Sequence, residues 1–153
     1  MKENYDYMAS RELKVFFKLI VEQYGAVPDK FGELAFIRGK ERIYCITRDI
    51  DKVDVKKLRI NSLGLYIAEV KNEQLRLSIE GSQLIGPTAT KNVCELDREQ
   101  LKEWFQGHDL KIEGEYSGFV ILKYENDYVG SGKYKDKLIL NFVPKARRLI
   151  EVH

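Results

Sequence analysis

The sequence predicts an α+β fold in two small units, an N-terminal antiparallel α/β domain in residues 1–86 and a C-terminal β-barrel with one main helix in residues 91–153. Three observations support this prediction. One long amphipathic stretch opens the chain, two alternating hairpin patterns follow it, and several short strands with close turns fill the C-terminal part. The small, polar, Pro-containing segment at 86–90 separates the two units.

The first predicted element is a helix over residues 10–24. Its apolar positions recur with helical spacing and form one stripe, made of Leu13, Phe16, Phe17, Ile20 and Tyr24. Ser10 is the predicted N-terminal cap, and Gly25 is the predicted stop. The stripe is typical of a helix that packs on a core.

Two hairpins are predicted after the helix. The first joins residues 34–37 and 42–47 through a polar turn with a glycine, and the second joins 59–70 and 75–79 through Lys71-Asn72-Glu73. The charge-dense segment 48–58 is predicted to be a short helix or turn. Residues 78–85 are predicted to form a brief helical turn, which Gly86-Pro87 ends.

The C-terminal unit is predicted to be mostly β. A short strand at 92–96 precedes a helix whose start carries a capping-box pattern, Asp97 followed by Gln100, and which ends at Gly107. The apolar run 118–124 predicts a strand buried on both faces. Further expectations are a glycine-containing turn at 131–133, a strand at 137–143, and a last strand at 146–152 after Pro144.

Composition excludes several classes of protein. No apolar run approaches the roughly 20 residues of a membrane helix, and the polar N-terminus lacks the apolar core of a secretory signal, so a cytoplasmic location is expected. Cys45 and Cys94 are far apart in the sequence, which favours two buried free thiols over a disulfide or a metal site. No metal or cofactor is expected.

Two motifs suggest catalysis, and neither is convincing. The Gly-Ser-Gly-Lys at 130–133 looks like a phosphate-binding loop, but the positions of the first loop glycine and of the Mg²⁺-binding hydroxyl hold Asp127 and Tyr134. His108 beside Asp109 could act as a base, but no nucleophile elbow accompanies it. The sequence therefore predicts a protein that is not an enzyme.

The strongest functional signal is a basic stretch at residues 130–149. It contains six basic residues against Asp136 alone, a net charge of +5, whereas the whole chain carries +2. Such a patch is typical of nucleic-acid binding, since Lys and Arg attract phosphates and aromatic rings stack on bases. If the segment is extended, its alternating lysines share one face. The alternative is a solvated basic edge that prevents sheet-to-sheet pairing. The predicted RNA-binding residues are Lys133, Tyr134, Lys135, Lys137, Lys145, Arg147 and Arg148.

Several segments together resemble known RNA-associated families. NSLGLYIAEVKNEQLRLSI at 61–79 is similar to a stretch of the Nip-type ribosome biogenesis factors. WFQGHDL at 104–110, YSGFVILKY at 116–124, YVGSGKY at 128–134 and NFVPKARR at 141–148 resemble the C-terminal PUA-like domain of Sun/RsmF-type rRNA cytosine methyltransferases.

The resemblance implies an N-terminal (pre-PUA-like) α/β domain, a PUA-like pseudobarrel, and RNA binding in rRNA maturation or modification. It implies phosphate contacts by Lys133, Lys145, Arg147 and Arg148. It does not extend to catalysis, since the chain has no room for a Rossmann domain and neither cysteine follows a proline.

The predicted function is that of an RNA-binding protein in rRNA maturation and ribosome biogenesis, or accessory to an RNA-modifying enzyme. Its predicted partners are RNA, with rRNA first and tRNA as the alternative, and ribosome-assembly proteins or a separate methyltransferase. No membrane partner is expected. Two alternatives are open: a small enzyme built around His108, and a protein-interaction adaptor that does not bind RNA. The adaptor would use an aromatic surface made of Tyr5, Tyr7, Tyr66 and Tyr116.

Overall fold

A computed structural model describes residues 5–47 and 64–142 of the chain. These residues form helices and strands in two five-stranded sheets, which bears out the predicted α+β class. In chain order the elements are β1 Asp6–Tyr7, α1 Ser10–Tyr24, β2 Leu34–Arg38, β3 Arg42–Thr47, β4 Leu65–Lys71, β5 Gln74–Leu77, α2 Ile79–Ile85, β6 Val93–Glu95, α3 Arg98–Phe105, β7 Leu110–Lys111, β8 Phe119–Tyr124, β9 Asp127–Lys135 and β10 Leu138–Leu140. Short 3-10 helices lie at Asp29–Glu33 and Gly86–Thr88.

The first sheet is antiparallel, with the strand order β1-β2-β3-β4-β5. Both predicted hairpins are present, and the second turns at Asn72 and Glu73, which have φ angles of 50° and 62°. The apolar stripe of α1 lies in a core with side chains of this sheet, as predicted. Aromatic rings form much of that core, because Phe16 and Phe31 both pack on Phe36, with ring centroids 5.5 and 5.2 Å away.

The ends of α1 differ slightly from the prediction. Ala9, and not Ser10, is the N-cap residue. The backbone N–H of Ala9 donates to Oε1 of Glu12 at 3.2 Å. A side chain of the first helical turn therefore supplies the hydrogen-bond partner for this N–H. Gly25 ends the helix as predicted, with φ at 94° and its N–H donating to the carbonyl of Val21.

The second sheet is mixed, with the strand order β6-β8-β9-β10-β7. Strand β6 runs parallel to β8, and the other pairs are antiparallel. The predicted capping box of α3 is present, since Asp97 accepts from the N–H of Gln100 and Gln100 accepts from the N–H of Asp97. Trp104 of α3 is fully buried in the core of this sheet.

The predicted turn at 131–133 is wrong, because β9 runs without interruption from Asp127 to Lys135. A side chain at Gly132 would collide with neighbouring atoms: its Cβ would lie 2.5 Å from the Leu140 carbonyl oxygen and 2.8 Å from Cη2 of Trp104. Glycine is needed here because a neighbouring strand and the Trp104 ring come close, and not because the chain turns.

Hydrogen bonds connect the N-terminal and C-terminal parts of the chain across the predicted boundary. The Tyr24 hydroxyl donates to the Phe119 carbonyl at 3.1 Å, and the Ser131 hydroxyl donates to the Leu77 carbonyl at 2.9 Å. Helix α2 contacts both β4 and β9. The sheets fall on either side of residues 86–90, and the division into domains at 1–86 and 91–153 stays a prediction.

Tyr24→Phe tests this connection. Tyr24 is fully buried, and removing its hydroxyl deprives the Phe119 carbonyl of a partner, so we expect a loss of about 1–2 kcal/mol in the free energy of unfolding in urea. Tyr124→Phe is the control, since the described residues supply no hydrogen-bond partner for its hydroxyl. Equal stability of the two variants would contradict the role of Tyr24.

Some predicted elements fall outside the described residues. These are the helix or turn at 48–58, the beginning of the strand at 59–70, and the last strand at 146–152. Within residues 5–47 and 64–142, no helix is long and apolar enough to span a membrane.

Candidate nucleic-acid interface

The structure divides the seven predicted RNA-binding residues into three groups. Strand β9 carries Lys133, Tyr134 and Lys135. Lys137 lies between β9 and β10. Lys145, Arg147 and Arg148 lie outside the described residues.

Lys133 and Lys135 share one face of β9, as predicted, because they are two residues apart on a continuous strand. Lys133 stands opposite Phe119 of β8 and Leu140 of β10. The side chain of Lys135 is exposed, and that of Lys133 is partly exposed. Neither lysine has an ion-pair partner within the described part of the chain. No carboxylate of residues 5–47 and 64–142 therefore competes with an anion for either ammonium group.

Lys137 does not continue this face, which corrects the predicted row of three lysines. Asp136 and Lys137 form the turn between the strands, with φ angles of 53° and 63°. The Lys137 ammonium lies 3.3 Å from Oε1 of Glu113 in an exposed ion pair. Such a pair contributes about 0–1 kcal/mol to stability. A phosphate that binds Lys137 must nevertheless displace the Glu113 carboxylate.

Tyr134 lies on the opposite face of β9 and packs in the protein. Its hydroxyl donates to the Ile112 carbonyl at 2.9 Å, and its ring meets that of Tyr116 edge to face, with the centroids 5.4 Å apart. The side chain is half-buried and packs against the hydrophobic core that contains Trp104. A base could therefore reach only part of this ring.

An arginine and a phenylalanine extend the lysine face. The Arg76 guanidinium lies 4.5 Å from the centroid of the Phe142 ring and donates to the Phe142 carbonyl at 3.2 Å. Phe142 is 37% exposed and packs on Phe119, the residue opposite Lys133, with the ring centroids 6.2 Å apart. We call Arg76, Lys133, Lys135 and Phe142 the basic–aromatic surface.

The sequence analysis did not identify Arg76 as part of this surface. Arg76 lies on β5 of the first sheet, 66 residues before Phe142. Its sequence neighbours show only an alternating strand, so no local signal marks it. Only the packing of the two sheets brings it to Phe142.

His108 and Asp109 do not form a catalytic pair. Nδ1 of His108 lies 2.5 Å from Oε2 of Glu103, and both side chains are exposed. Asp109 instead accepts from the backbone N–H of Asn141 at 2.8 Å. No group of three or more His, Cys, Asp or Glu side chains within residues 5–47 and 64–142 could hold a metal ion.

The two cysteines are buried, as predicted, and neither is suited to act as a nucleophile. Burial raises the pKa of Cys45 to about 11 and also raises the pKa of Cys94. Both thiols therefore remain protonated near neutral pH, where the thiolate is the reactive form.

The four tyrosines of the adaptor hypothesis do not form one exposed surface. Tyr5 and Tyr66 pack on Tyr44, with ring centroids 5.9 and 5.8 Å away, and Tyr7 belongs to the same cluster. Tyr116 packs on Tyr134 in the other sheet. These rings are half-buried. They do not form the single exposed aromatic patch that the adaptor hypothesis requires.

Comparison with known proteins shows a match to a known domain family in the C-terminal part. The family described as the methyltransferase RsmF PUA domain matches residues 91–149. This range contains the whole second sheet and all seven predicted RNA-binding residues.

Three relatives with sequence similarity carry the name ribosomal RNA small subunit methyltransferase F. The protein from Aeromonas salmonicida is 30% identical over 139 residues, which is 90% of this chain and 28% of the relative. That from Vibrio cholerae is 32% identical over 90 residues, 58% of this chain and 19% of the relative. That from Vibrio vulnificus is 27% identical over 89 residues, again 58% and 19%. The chain spans less than a third of the length of these relatives.

Proposed function

Because the chain carries a PUA-like domain of the RsmF type in residues 91–149, we propose that it binds ribosomal RNA of the small subunit and serves rRNA modification without catalysing it. The relatives are methyltransferases by name, and this chain spans less than a third of their length. We place the chain in the cytoplasm, with an RNA-modifying enzyme or ribosome-assembly proteins as its partners.

The observation that carries the proposal is the basic–aromatic surface. Two lysines without a carboxylate partner among the described residues stand beside an exposed ring with a guanidinium stacked on it. Ammonium and guanidinium groups bind phosphates, and a ring stacks on a base of any sequence. In this proposal Lys133, Lys135 and Arg76 hold the RNA backbone, and Phe142 contacts a base.

The remaining predicted residues extend the proposal along the chain. Lys145, Arg147 and Arg148 fall within the range that matches the family, and we assign them to phosphate contacts. Lys137 has a smaller role because Glu113 is its neighbour. We assign Tyr134 a mainly structural role, because its hydroxyl is hydrogen-bonded to the Ile112 carbonyl. Phosphate contacts position RNA and do not read its sequence, so little sequence preference is expected from them.

A salt titration tests the proposal. Labelled fragments of small-subunit rRNA are titrated with the protein at several KCl concentrations, and fluorescence anisotropy gives the affinity. We expect log K to fall linearly with log salt, by roughly 0.7–0.9 per phosphate contact. A protein-interaction adaptor would show no RNA complex at near-physiological salt and a stable protein complex in a pull-down, which would overturn the proposal.

Crosslinking in cell extract then identifies the RNA. Sequencing of the RNA recovered with the protein is expected to return small-subunit rRNA. Recovery of tRNA alone would keep RNA binding and reject the ribosomal target.

A further inference from the structure

The first sheet carries a second arginine that is stacked on an aromatic ring. The Arg42 guanidinium lies 4.8 Å from the centroid of the Tyr66 ring, much as the Arg76 guanidinium lies 4.5 Å from the centroid of the Phe142 ring. Arg42 belongs to β3, Arg76 belongs to β5, and Tyr66 belongs to β4 between them. The basic–aromatic surface therefore has a neighbour of the same chemical kind, which we call the Arg42–Tyr66 pair.

Both arginines lie on the face of the first sheet that is turned away from α1. Arg42, Glu69 and Arg76 stand opposite one another on β3, β4 and β5, and residues directly opposite each other share a face. Leu75 and Leu77 flank Arg76 and point into the core that the sheet shares with α1, so Arg76 points the other way. Two strand spacings separate the Cα atoms of the arginines by roughly 10 Å.

One cavity borders both arginine–ring pairs. Tyr66, Arg76 and Phe142 are among the residues that line it, together with Ser131 of β9 in the second sheet. The ring beneath Arg42 is thus next to the Arg76–Phe142 pair, at the place where the two sheets meet. The Arg42–Tyr66 pair therefore continues the basic–aromatic surface onto the first sheet.

The carboxylate between the two arginines does not neutralise both of them. Glu69 is 9% exposed, and its Oε1 lies 3.3 Å from Nζ of Lys71. Neither Arg42 nor Arg76 forms an ion pair with a carboxylate among residues 5–47 and 64–142. Three cations and one carboxylate give this part of the sheet a net positive charge.

Stacking also prepares each guanidinium for binding. A long side chain that is already held in place loses less conformational entropy when it binds a ligand. A guanidinium that lies with one face on a ring keeps its N–H edges for a forked bond to a phosphate. Arg42 is exposed and Arg76 is partly exposed, so solvent reaches both groups. The two arginines are therefore suited to hold two phosphates of one strand.

Resting on the proposed function, we propose that bound RNA continues from the PUA-like domain onto the first sheet, where Arg42 holds a phosphate of the strand that Arg76 also contacts. A nucleic-acid strand in a helix advances about 3.4 Å per nucleotide, so a spacing of about 10 Å corresponds to roughly three nucleotides. Arg42 lies outside residues 91–149, which match the PUA domain family. The N-terminal part of the chain thus contributes directly to RNA affinity.

Removing the charge of Arg42 tests the proposal. Arg42→Gln is titrated with labelled fragments of small-subunit rRNA over a KCl series, and anisotropy gives the affinity. Loss of one phosphate contact is expected to lower the affinity about fivefold at roughly 0.1 M salt and to reduce the slope of log K against log salt by about 0.7. Arg42→Lys keeps the charge but not the fork, so we expect the slope of the parent with an intermediate affinity.

Lys14→Gln is the matched control, because it removes one exposed positive charge on α1, which packs on the other face of the sheet. We expect this control to bind as the parent does. If Arg42→Gln has the slope and affinity of Lys14→Gln, the extension onto the first sheet is overturned while RNA binding stands. If the parent itself does not bind the rRNA fragments, the proposed function fails, and this proposal fails with it.

Arginine side-chain resonances of the parent protein give a second test. Nitrogen–proton spectra of the Nε–H groups are recorded with a short single-stranded fragment of small-subunit rRNA, and separately with an oligoglutamate of similar charge. We expect the RNA to shift the resonances of Arg42 and Arg76 together. Bound RNA that moves the Arg76 resonance alone would reject the proposal. A larger Arg42 shift with oligoglutamate than with RNA would also reject it, since the site would then prefer an acidic protein segment.

Discussion

Replacing Lys133 and Lys135 together by glutamate is expected to lower the affinity for small-subunit rRNA about 30-fold at roughly 0.1 M salt. The estimate follows from two lost phosphate contacts, which together change the slope of log K against log salt by about 1.5. The two lysines share a face of β9 and have no carboxylate partner among the described residues, so no described side chain neutralises their charge. Anisotropy over a KCl series measures both the affinity and the slope.

The matched control changes the net charge equally at another place. Lys14 and Lys18 are exposed on α1, and their double replacement by glutamate alters the total charge as much as the β9 variant does. We expect a slope within about 0.3 of the parent value for this control, since its residues make no phosphate contact. If both double variants lose affinity equally, RNA responds to net charge and the basic–aromatic surface is not the binding site.

Gly132→Ala is expected to destabilise the protein by about 3 kcal/mol, near the upper end for an overpacked core. The added Cβ would lie 2.5 Å from the Leu140 carbonyl oxygen, and a backbone oxygen cannot rotate away as a side chain would. Relief requires β10 to move away from β9 or the Trp104 ring to shift. Urea unfolding of both proteins gives the difference.

Gly32→Ala controls for the general effect of replacing glycine. No atom lies within 4 Å of a Cβ at Gly32, so we expect a change within about 1 kcal/mol. A Gly132→Ala protein as stable as the Gly32→Ala protein would show that β9 and β10 do not approach as closely as described. The contrast therefore tests the packing of the second sheet independently of RNA.

The same glycines show how a local pattern can mislead. Gly130 and Gly132 flank a serine and precede a lysine, which is typical of a turn or a phosphate-binding loop. In the structure they lie in the middle of a nine-residue strand. Gly132 accommodates the neighbouring strand, and Gly130 leaves space beside Trp104. The need for glycine at both positions therefore depends on contacts with residues that are remote in the sequence or that belong to another element.

The sequence by itself determined the elements whose signals are local. Helical spacing of apolar residues predicted α1 with its observed bounds, alternation predicted the two hairpins, and the Asp97–Gln100 pattern predicted the start of α3. These features depend on residues within a few positions of each other, so periodicity and capping are enough to find them. Motif order along the C-terminal part likewise indicated the PUA-like domain that the family comparison shows.

Only the tertiary structure decided where the candidate site lies. It moved Lys137 from the strand face into a turn beside Glu113, packed Tyr134 on the Trp104 side, and brought Arg76 to Phe142 across 66 residues. These arrangements follow from how the two sheets pack against each other. The spacing of residues in the sequence does not indicate the distance between residues that lie on different sheets. The positive charge of residues 130–149 can be counted in the sequence, whereas the basic–aromatic surface also requires Arg76 from β5 of the other half of the chain.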